Sequence, residues 1–152
     1  MSDVDVAALL APGSIRLDEH VGDKLAAVRR CGQVLVEAGL VAPGYVPAML
    51  EREATVSTYI AEGVAIPHAT TAGKEHVLAD GLCFLRFPDG VDWDGEVATV
   101  AIGIAAQGDG HVAVLGQLAE ILLDPERAAA LRTAEDASSV LRMLRTTTEG
   151  ES

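Results

Sequence analysis

One nearly continuous apolar segment, residues 97–106, constrains the fold of this chain more than any other feature. Its residues do not alternate between apolar and polar, as they would in a strand with one face in water. A segment of this kind is typical of a strand that is covered on both faces. It therefore predicts an interior strand in a sheet that has helices packed on each side.

Helical and extended patterns alternate along the rest of the chain. The apolar periodicity predicts helices at 23–38, 43–52, 111–123, 125–131 and 135–144, and strands at 15–17 and 78–87. Residues 55–66 mix β-branched residues with a glycine, which favours a strand or an extended loop. Strands that alternate with helices are typical of layered α/β domains. We therefore predict one α/β domain over residues 1–152, with a mixed sheet of about five strands flanked by helices on both faces.

Several local signals refine this prediction. Gly32 interrupts a helix at a cost of about 1 kcal/mol relative to alanine, and close packing is the usual reason for accepting such a residue. The Pro-Asp-Gly sequence at 88–90 predicts a turn that ends the preceding strand. Trp93 follows this turn, and we expect it to anchor a loop over the edge of the core. Residues 1–13, rich in aspartate and alanine, are predicted to be loosely held.

The charge balance limits the classes of partner. The chain of 152 residues has 11 Lys and Arg against 23 Asp and Glu, a net charge of -12. Nucleic acids and anionic membranes bind basic surfaces, so this balance argues against both. Two explanations of the negative charge are equally compatible with the sequence: the protein binds a basic partner, or the charge only keeps the protein soluble.

The two cysteines, Cys31 and Cys83, both lie in apolar segments. They form no C-x-x-C pair and have no metal-ligand spacing, so we predict reduced core residues of a cytoplasmic protein. No stretch approaches the roughly 20 apolar residues of a membrane-spanning helix. The N-terminus also lacks the basic start and long apolar run of a signal peptide. We therefore expect a soluble protein that is not exported.

The segment Gly-Val-Ala-Ile-Pro-His-Ala-Thr at 63–70 is the best candidate for a site. Pro67 fixes its own backbone and pushes Ile66 toward an extended conformation. His68 should therefore be held just past a strand by a stiff connection, with small residues after it. On residue types alone, a surface or capping histidine in a turn explains this pattern somewhat better than a catalytic one. The chain has no P-loop, dinucleotide-binding, zinc-helix or nucleophile-elbow motif.

The wider segment 46–68 closely resembles the enzyme IIA domains of the mannitol/fructose family of the sugar phosphotransferase system. It contains a helix ending in Arg52-Glu53, then Thr58-Tyr59, then Gly-x-Ala-x-Pro-His at 63–68. The sequence Gly-Leu-Val at 39–41, the apolar strand at 100–106 and the helix that opens at His111 are similar to the mannitol-type members, in the same order. The resemblance extends over roughly residues 15–144.

This resemblance implies a phosphohistidine relay. His68 aligns with the phosphorylated histidine, Arg52 with an active-site arginine that would clamp the phosphate, and His111 with a second active-site histidine that would donate a hydrogen bond to it. The phosphocarrier protein HPr would be the donor. The cysteine of an enzyme IIB domain in a membrane IIBC permease would be the acceptor, in mannitol-type sugar uptake. The resemblance implies no metal and no organic cofactor, and neither Cys31 nor Cys83 resembles the acceptor cysteine.

These roles are chemically reasonable for the residue types. An imidazole with a pKa of about 6.5 is a nucleophile near neutral pH, and a guanidinium fits phosphate oxygens. The helix dipole disfavours an imidazolium at a helix start, so His111 should be a neutral donor. Each role also has a plain alternative: Arg52 could only offset the dipole at its helix end, and His111 could have no role. We interpret His20 and His76 as surface residues.

Two other functions compete with the relay. Nitrogen-type enzyme IIA proteins share the Pro-His segment but bind target proteins according to their phosphorylation state. The stretch 49–52 and the helix at His111 favour the mannitol type over this regulatory type. A hydrolase or metal enzyme using His68 and His111 would need a carboxylate pair, a nucleophile elbow or a third ligand, and the sequence shows none of these.

Overall fold

The described part of the chain forms one five-stranded mixed sheet with helices on both faces, as predicted. The computed structural model describes residues 6–107 and 110–144, apart from the side chains of Thr71 and His111. The strands are β1 Leu10–Arg16, β2 Tyr59–Ala61, β3 Val64–Ala65, β4 Gly81–Trp93 and β5 Glu96–Ala105. The α-helices are α1 Lys24–Glu37, α2 Tyr45–Thr55, α3 Gly110–Leu122, α4 Pro125–Arg132 and α5 Ala137–Leu144, and 3-10 turns cover Val6–Leu9 and Thr71–His76.

The strand order is β1-β4-β5-β3-β2. The β1–β4 and β3–β5 pairs are parallel, whereas β4–β5 and β2–β3 are antiparallel. Strand β5, which covers most of the apolar segment 97–106, therefore has a neighbour on each side. This confirms the prediction of an interior strand.

The two faces of β5 have different side-chain volumes. Val100, Ile102 and Ile104 face one core, which α3, α4 and α5 complete. Ala101 and Ala105 face the other core, which contains the buried residues of α1 and α2. Small residues on this second face let α1 approach the sheet closely. A methyl group at Gly103 would lie only 2.7 Å from the Sγ atom of Cys83.

Helices α1 and α2 are in direct contact at Gly32. A Cβ atom there would lie 2.7 Å from Cγ2 of Val46 and 3.3 Å from Sδ of Met49. Close packing is thus the reason for this glycine, as the sequence predicted. Asp23 caps the start of α1 by accepting from the amide of Ala26 at 2.8 Å. The contact between α1 and α2 at Gly32 fixes the position of α2, the helix that carries Arg52.

The turn predicted at 88–90 is wrong, because β4 continues through it to Trp93. The register between β4 and β5 shifts between Arg86 and Val91, so the Pro-Asp-Gly sequence forms an irregularity inside the ladder. Proline has no amide proton to donate, and such an irregularity is where a strand tolerates it. The hairpin instead turns at Asp94 and Gly95, whose φ angles of 55° and 97° suit a two-residue turn.

Trp93 is fully buried at the end of β4 and is not a loop anchor at the edge of the core. At the start of the chain, Val6 and Leu10 are buried and β1 begins at Leu10, whereas residues 11–13 are exposed. The expectation of a loosely held segment at 1–13 stays a prediction, and residues 1–5 lie outside the described residues.

Cys31 and Cys83 are both buried free thiols, as predicted. The thiol of Cys83 donates to the carbonyl of Cys31 at 3.6 Å. The interaction with Cys83, together with burial, raises the pKa of the Cys31 thiol well above its usual range. Among the described residues, no helix combines the length and apolar character needed to cross a membrane.

Candidate functional site

His68 follows β3 through the short connection Ile66-Pro67, and backbone hydrogen bonds hold this connection in place. The amide of Ile66 donates to the carbonyl of Thr58 at 3.0 Å, and the carbonyl of Pro67 accepts from the amide of Ile104 in β5 at 3.0 Å. The second bond extends the parallel β3–β5 pairing past the end of β3. His68 is therefore presented from a fixed backbone, as the Pro-His sequence predicted.

The ring of His68 is half-buried and has a defined orientation. Its Nδ1 atom lies 2.9 Å from the carbonyl oxygen of Ile66. A carbonyl oxygen can only accept, so Nδ1 carries the proton of this hydrogen bond. In the neutral ring, Nε2 then has the unshared electron pair.

His68 and Arg52 line the same open depression, which has a volume of about 390 Å³. Its other lining residues come from the 57–60 segment, from Ile66 and from α3; they are Ser57, Thr58, Tyr59, Ile60, Leu115, Gly116 and Ala119. The structure thus brings together two of the three residues that the sequence predicted. The third, His111, lies one helical turn before Leu115 in α3, and its side chain lies outside the described part of the structure.

Arg52 lies in the last turn of α2, and its side chain folds back over the helix end. Its Nη1 atom donates to the carbonyl of Val56 at 2.6 Å. This contact satisfies a carbonyl at the helix end, as the plain alternative for this residue requires. A guanidinium has five N–H donors, and this hydrogen bond uses one of them. Arg52 therefore brings a permanent positive charge to the depression beside His68.

Glu53, which sequence reasoning left without a role, is a buried carboxylate next to Arg52. It is only 2% exposed. Its Oε2 atom accepts from the amide of Thr58 and from Nε1 of Trp93, both at 2.9 Å, and its Oε1 atom accepts from Oγ1 of Thr58 at 2.6 Å. The only signal in the sequence was its place in the Arg-Glu pair of the recognised pattern, because its partners lie 5 and 40 residues away.

Two tyrosines support the walls of the site. The hydroxyl of Tyr59 accepts from the amide of Gly63 at 2.9 Å and so fixes the turn between β2 and β3. The hydroxyl of Tyr45 donates to the carbonyl of Ile104 at 2.6 Å, beneath His68. Burial raises the pKa of Tyr45 to about 12.

The remaining two histidines lie outside the depression; His20 is a surface residue, as predicted, whereas His76 is half-buried, with its ring packed against Gly44. His20 is exposed between Asp89 and Asp18, whose hydrogen bonds raise its pKa. His76 lies at the end of the 3-10 turn after His68, with its Nε2 atom 3.6 Å from Glu75.

A second depression of about 430 Å³, between Arg86 and Arg132, does not contain any of the predicted site residues. These arginines hold chain segments together. Arg86 donates to the carbonyls of Leu17, Arg132 and Ala134, and Arg132 donates to the carbonyl of Glu62. We therefore regard this feature as a structural junction.

Comparison with known proteins gives one consistent family. The family described as "Phosphoenolpyruvate-dependent sugar phosphotransferase system, EIIA 2" matches residues 8–146. A mannitol-specific phosphotransferase enzyme IIA component from Halalkalibacterium halodurans is 39% identical over 90% of this chain and 94% of its own length. A multiphosphoryl transfer protein from Escherichia coli O157:H7 is 45% identical over 89% of this chain. The chain spans only 36% of the length of that second relative.

Solved structures agree with the sequence comparisons. The enzyme IIA mannitol protein of Escherichia coli, in its complex with phosphorylated enzyme IIB mannitol, matches with a TM-score of 0.83 and 35% identity, over 90% of this chain and 98% of the other. The nitrogen regulatory protein IIA-Ntr of Neisseria meningitidis matches with a TM-score of 0.80 and 26% identity, over 91% of this chain and 98% of the other. The fold is therefore shared by transport and regulatory proteins, and the higher identity is to the mannitol protein.

Proposed function

Because this chain belongs to the EIIA type 2 family of the phosphoenolpyruvate-dependent sugar phosphotransferase system, we propose that it is a phosphohistidine relay protein. It accepts a phosphoryl group on His68 from the phosphorylated carrier HPr and passes the group to the cysteine of an enzyme IIB domain. The observation that carries this proposal is the fixed, half-buried imidazole of His68, which lines an open depression together with Arg52.

The acceptor atom is Nε2 of His68. The hydrogen bond from Nδ1 to the Ile66 carbonyl leaves the electron pair on Nε2, so this atom attacks the phosphorus. The nitrogen–phosphorus bond of the donor histidine breaks as the Nε2–phosphorus bond forms, and the donor leaves as a neutral imidazole. The His68 ring then carries positive charge, which strengthens the hydrogen bond that Nδ1 donates.

Arg52 and His111 share the negative charge of the group in transfer. Phosphoryl transfer depends chiefly on positioning and on neutralising charge. The guanidinium of Arg52 lies on the wall of the depression and can offer two parallel donors to phosphate oxygens. A neutral His111 at the start of α3 would donate one hydrogen bond to the same group.

In the second half-reaction a cysteine thiolate of the enzyme IIB domain attacks the same phosphorus. The nitrogen–phosphorus bond on His68 breaks, a sulfur–phosphorus bond forms, and the neutral His68 is restored. Two macromolecules must reach the ring in turn, which an open depression permits and a deep pocket would not. The relative solved in complex with phosphorylated enzyme IIB mannitol supports this choice of acceptor.

The names of the relatives support a mannitol-type sugar as the final acceptor of the phosphoryl group. Two of them, a separate enzyme IIA component and the protein from the solved complex, carry mannitol in their names. We propose that the protein works in the cytoplasm and meets the IIB domain of a membrane permease there. Its net charge of -12 should make encounter with basic partner surfaces fast and sensitive to salt.

A reconstituted relay tests the proposal directly. The protein is incubated with phosphoenolpyruvate, enzyme I and HPr, and acid-labile phosphate is mapped by mass spectrometry. We expect label on His68 in the wild-type protein and in a His76→Gln control, and no label in His68→Gln. Absence of phosphate on His68 in the wild-type protein would refute the relay.

The acceptor distinguishes transport from the regulatory alternative. The similarity to a nitrogen regulatory protein keeps binding of target proteins as a second candidate function. Labelled protein is mixed with a purified mannitol-type IIB domain, and its phosphate is followed. Rapid transfer to the IIB cysteine is the expected result, whereas stable label on His68 would favour the regulatory function.

A further inference from the structure

The buried carboxylate of Glu53 is connected to the reactive ring through four hydrogen bonds. It binds both the amide and the hydroxyl of Thr58, at 2.9 and 2.6 Å. The carbonyl of the same Thr58 accepts from the amide of Ile66 at 3.0 Å. The carbonyl of Ile66 in turn accepts from Nδ1 of His68 at 2.9 Å.

Each step of this path constrains the next one. Two hydrogen bonds from one carboxylate to the amide and side chain of Thr58 fix both the position and the rotation of that residue. This fixes the direction of the Thr58 carbonyl, which accepts from the amide of Ile66. The peptide after Ile66 is further restricted by Pro67, so the Ile66 carbonyl points in one direction. That carbonyl selects the protonated nitrogen of His68.

Because these groups are buried, their hydrogen bonds depend on the carboxylate of Glu53. The carboxylate is 2% exposed, and Thr58 is 4% exposed. Trp93, at the end of β4, provides a third donor and is fully buried. Without the carboxylate, three buried donors would lose their acceptor, and buried donors are costly to leave unpaired. The 57–59 segment would then move to find other partners.

We propose that Glu53 is a positioning residue for phosphoryl transfer, which sets the orientation and the tautomer of His68 through Thr58 and Ile66. This inference rests on the proposed relay function. Glu53 does not touch the phosphoryl group. It acts on the two adjacent features of the site that depend on the 57–66 backbone, namely the direction of the His68 ring and the nitrogen that stays unprotonated.

Glu53→Gln removes the negative charge but keeps the shape of the side chain, and it should preserve the hydrogen-bond path to His68. In Glu53→Gln the amide oxygen can replace Oε2 and accept from Thr58 and Trp93. Its NH2 group can donate to the Thr58 hydroxyl, which reverses to accept. Glu53→Leu has a similar volume but accepts no hydrogen bond. The path should therefore survive in the glutamine variant and fail in the leucine variant.

The first measurement is made on unphosphorylated protein and does not depend on any transfer. Nitrogen–proton NMR correlation at about pH 8, where an ordinary imidazole is neutral, reports which ring nitrogen of His68 carries the proton. We expect mainly the Nδ1–H form in the wild type and in Glu53→Gln, and loss of that preference in Glu53→Leu. The second measurement is the single-turnover rate of transfer from phospho-HPr, which should fall about 100-fold in Glu53→Leu.

Leu35→Ala serves as the control for general destabilisation, since Leu35 is fully buried in the same core but belongs to α1. It should keep the wild-type tautomer. If Glu53→Leu and Leu35→Ala have the same tautomer and rate, Glu53 is only a structural residue and the inference is refuted. If Glu53→Leu does not fold, Glu53→Ala is used instead, because it also removes the acceptor of the Thr58 amide and hydroxyl, and an unchanged His68 tautomer in that variant refutes the inference equally. Failure of the wild type to be phosphorylated would refute the relay function but leave the tautomer result standing.

Discussion

Two glycines in helix interiors, Gly32 in α1 and Gly116 in α3, should respond in opposite ways to the same substitution. Replacing either by alanine adds one methyl group and gains about 1 kcal/mol of helix propensity. At Gly116 the new Cβ meets no atom within 4 Å. At Gly32 it lies 2.7 Å from Cγ2 of Val46 and 3.3 Å from Sδ of Met49.

The distances set the size of the difference. Carbon atoms in favourable contact are about 3.5–4.0 Å apart, so the new Cβ at Gly32 is roughly 1 Å too close to Val46. Val46 cannot swing away as a long side chain could, because its branch at Cβ restricts its rotamers. Overpacking of this kind costs about 1–3 kcal/mol. We therefore expect Gly116→Ala to stabilise the protein by about 1 kcal/mol and Gly32→Ala to destabilise it by about 0–2 kcal/mol.

The assay is urea unfolding, followed by circular dichroism and by the fluorescence of the single tryptophan. Coincident transitions by the two probes would justify a two-state free energy of unfolding. A difference between the two variants of about 1–3 kcal/mol, with unchanged m-values, is the expected result. Equal stability of Gly32→Ala and Gly116→Ala would show that the contact between α1 and α2 is not tight, and would refute the packing argument.

Three further predictions concern the site. Arg52→Lys keeps the charge but loses the paired donors, so transfer should slow by about 10- to 150-fold, from a loss of about 1.5–3 kcal/mol; an unchanged single-turnover rate would remove Arg52 from the mechanism. His111→Ala should slow transfer while His68 remains modifiable, and a wild-type rate would leave His111 as a helix-start residue without a role. The buried Tyr45, whose pKa is raised from 10.0 to about 12, should stabilise the fold fully below pH 10 and lose this contribution as the pH rises toward 12. Urea unfolding at increasing pH should therefore show a loss of about 2–3 kcal/mol across this range that Tyr45→Phe lacks, and parallel curves would contradict it.

Features that depend on short-range patterns could be predicted from the sequence. The interior strand β5 was predictable because both of its faces are apolar, and a strand buried on both faces leaves no place for polar residues. The position of His68 was predictable because the Pro67 ring restricts the chain on both sides of it. Gly32 likewise indicated a close helix contact, although its partner Val46 could not be identified.

The course of β4 could not be predicted, because two turn signals compete within eight residues. Pro-Asp-Gly at 88–90 and Asp-Gly at 94–95 are both good turn sequences. Local propensity does not decide between them. The choice is made by the pairing of Val91 with Ala98 and of Trp93 with Glu96, which brings the buried Trp93 side chain to Glu53.

Glu53 itself was hidden for the same reason. A glutamate near the end of a helix normally lies in water, and only tertiary contacts can make it an acceptor for buried donors. Its partners Thr58 and Trp93 come from a loop and from the far end of β4. Neither contact has a sequence period that would reveal it.

The strand that most constrains the fold also determines where the candidate site lies. Strands β3 and β5 are parallel, so their carboxyl ends open at the same edge of the sheet. Ligand sites in α/β sheets lie beyond such ends. There Ile104 of β5 donates its amide to the carbonyl of Pro67 and accepts from the hydroxyl of Tyr45. One residue of the apolar strand thus binds both the connection that carries His68 and the helix that carries Arg52. An Ile104→Val change should alter only packing, because both of these bonds use the backbone. For the same reason, an apolar strand with no reactive side chain can still fix the positions of His68 and of the helix that carries Arg52.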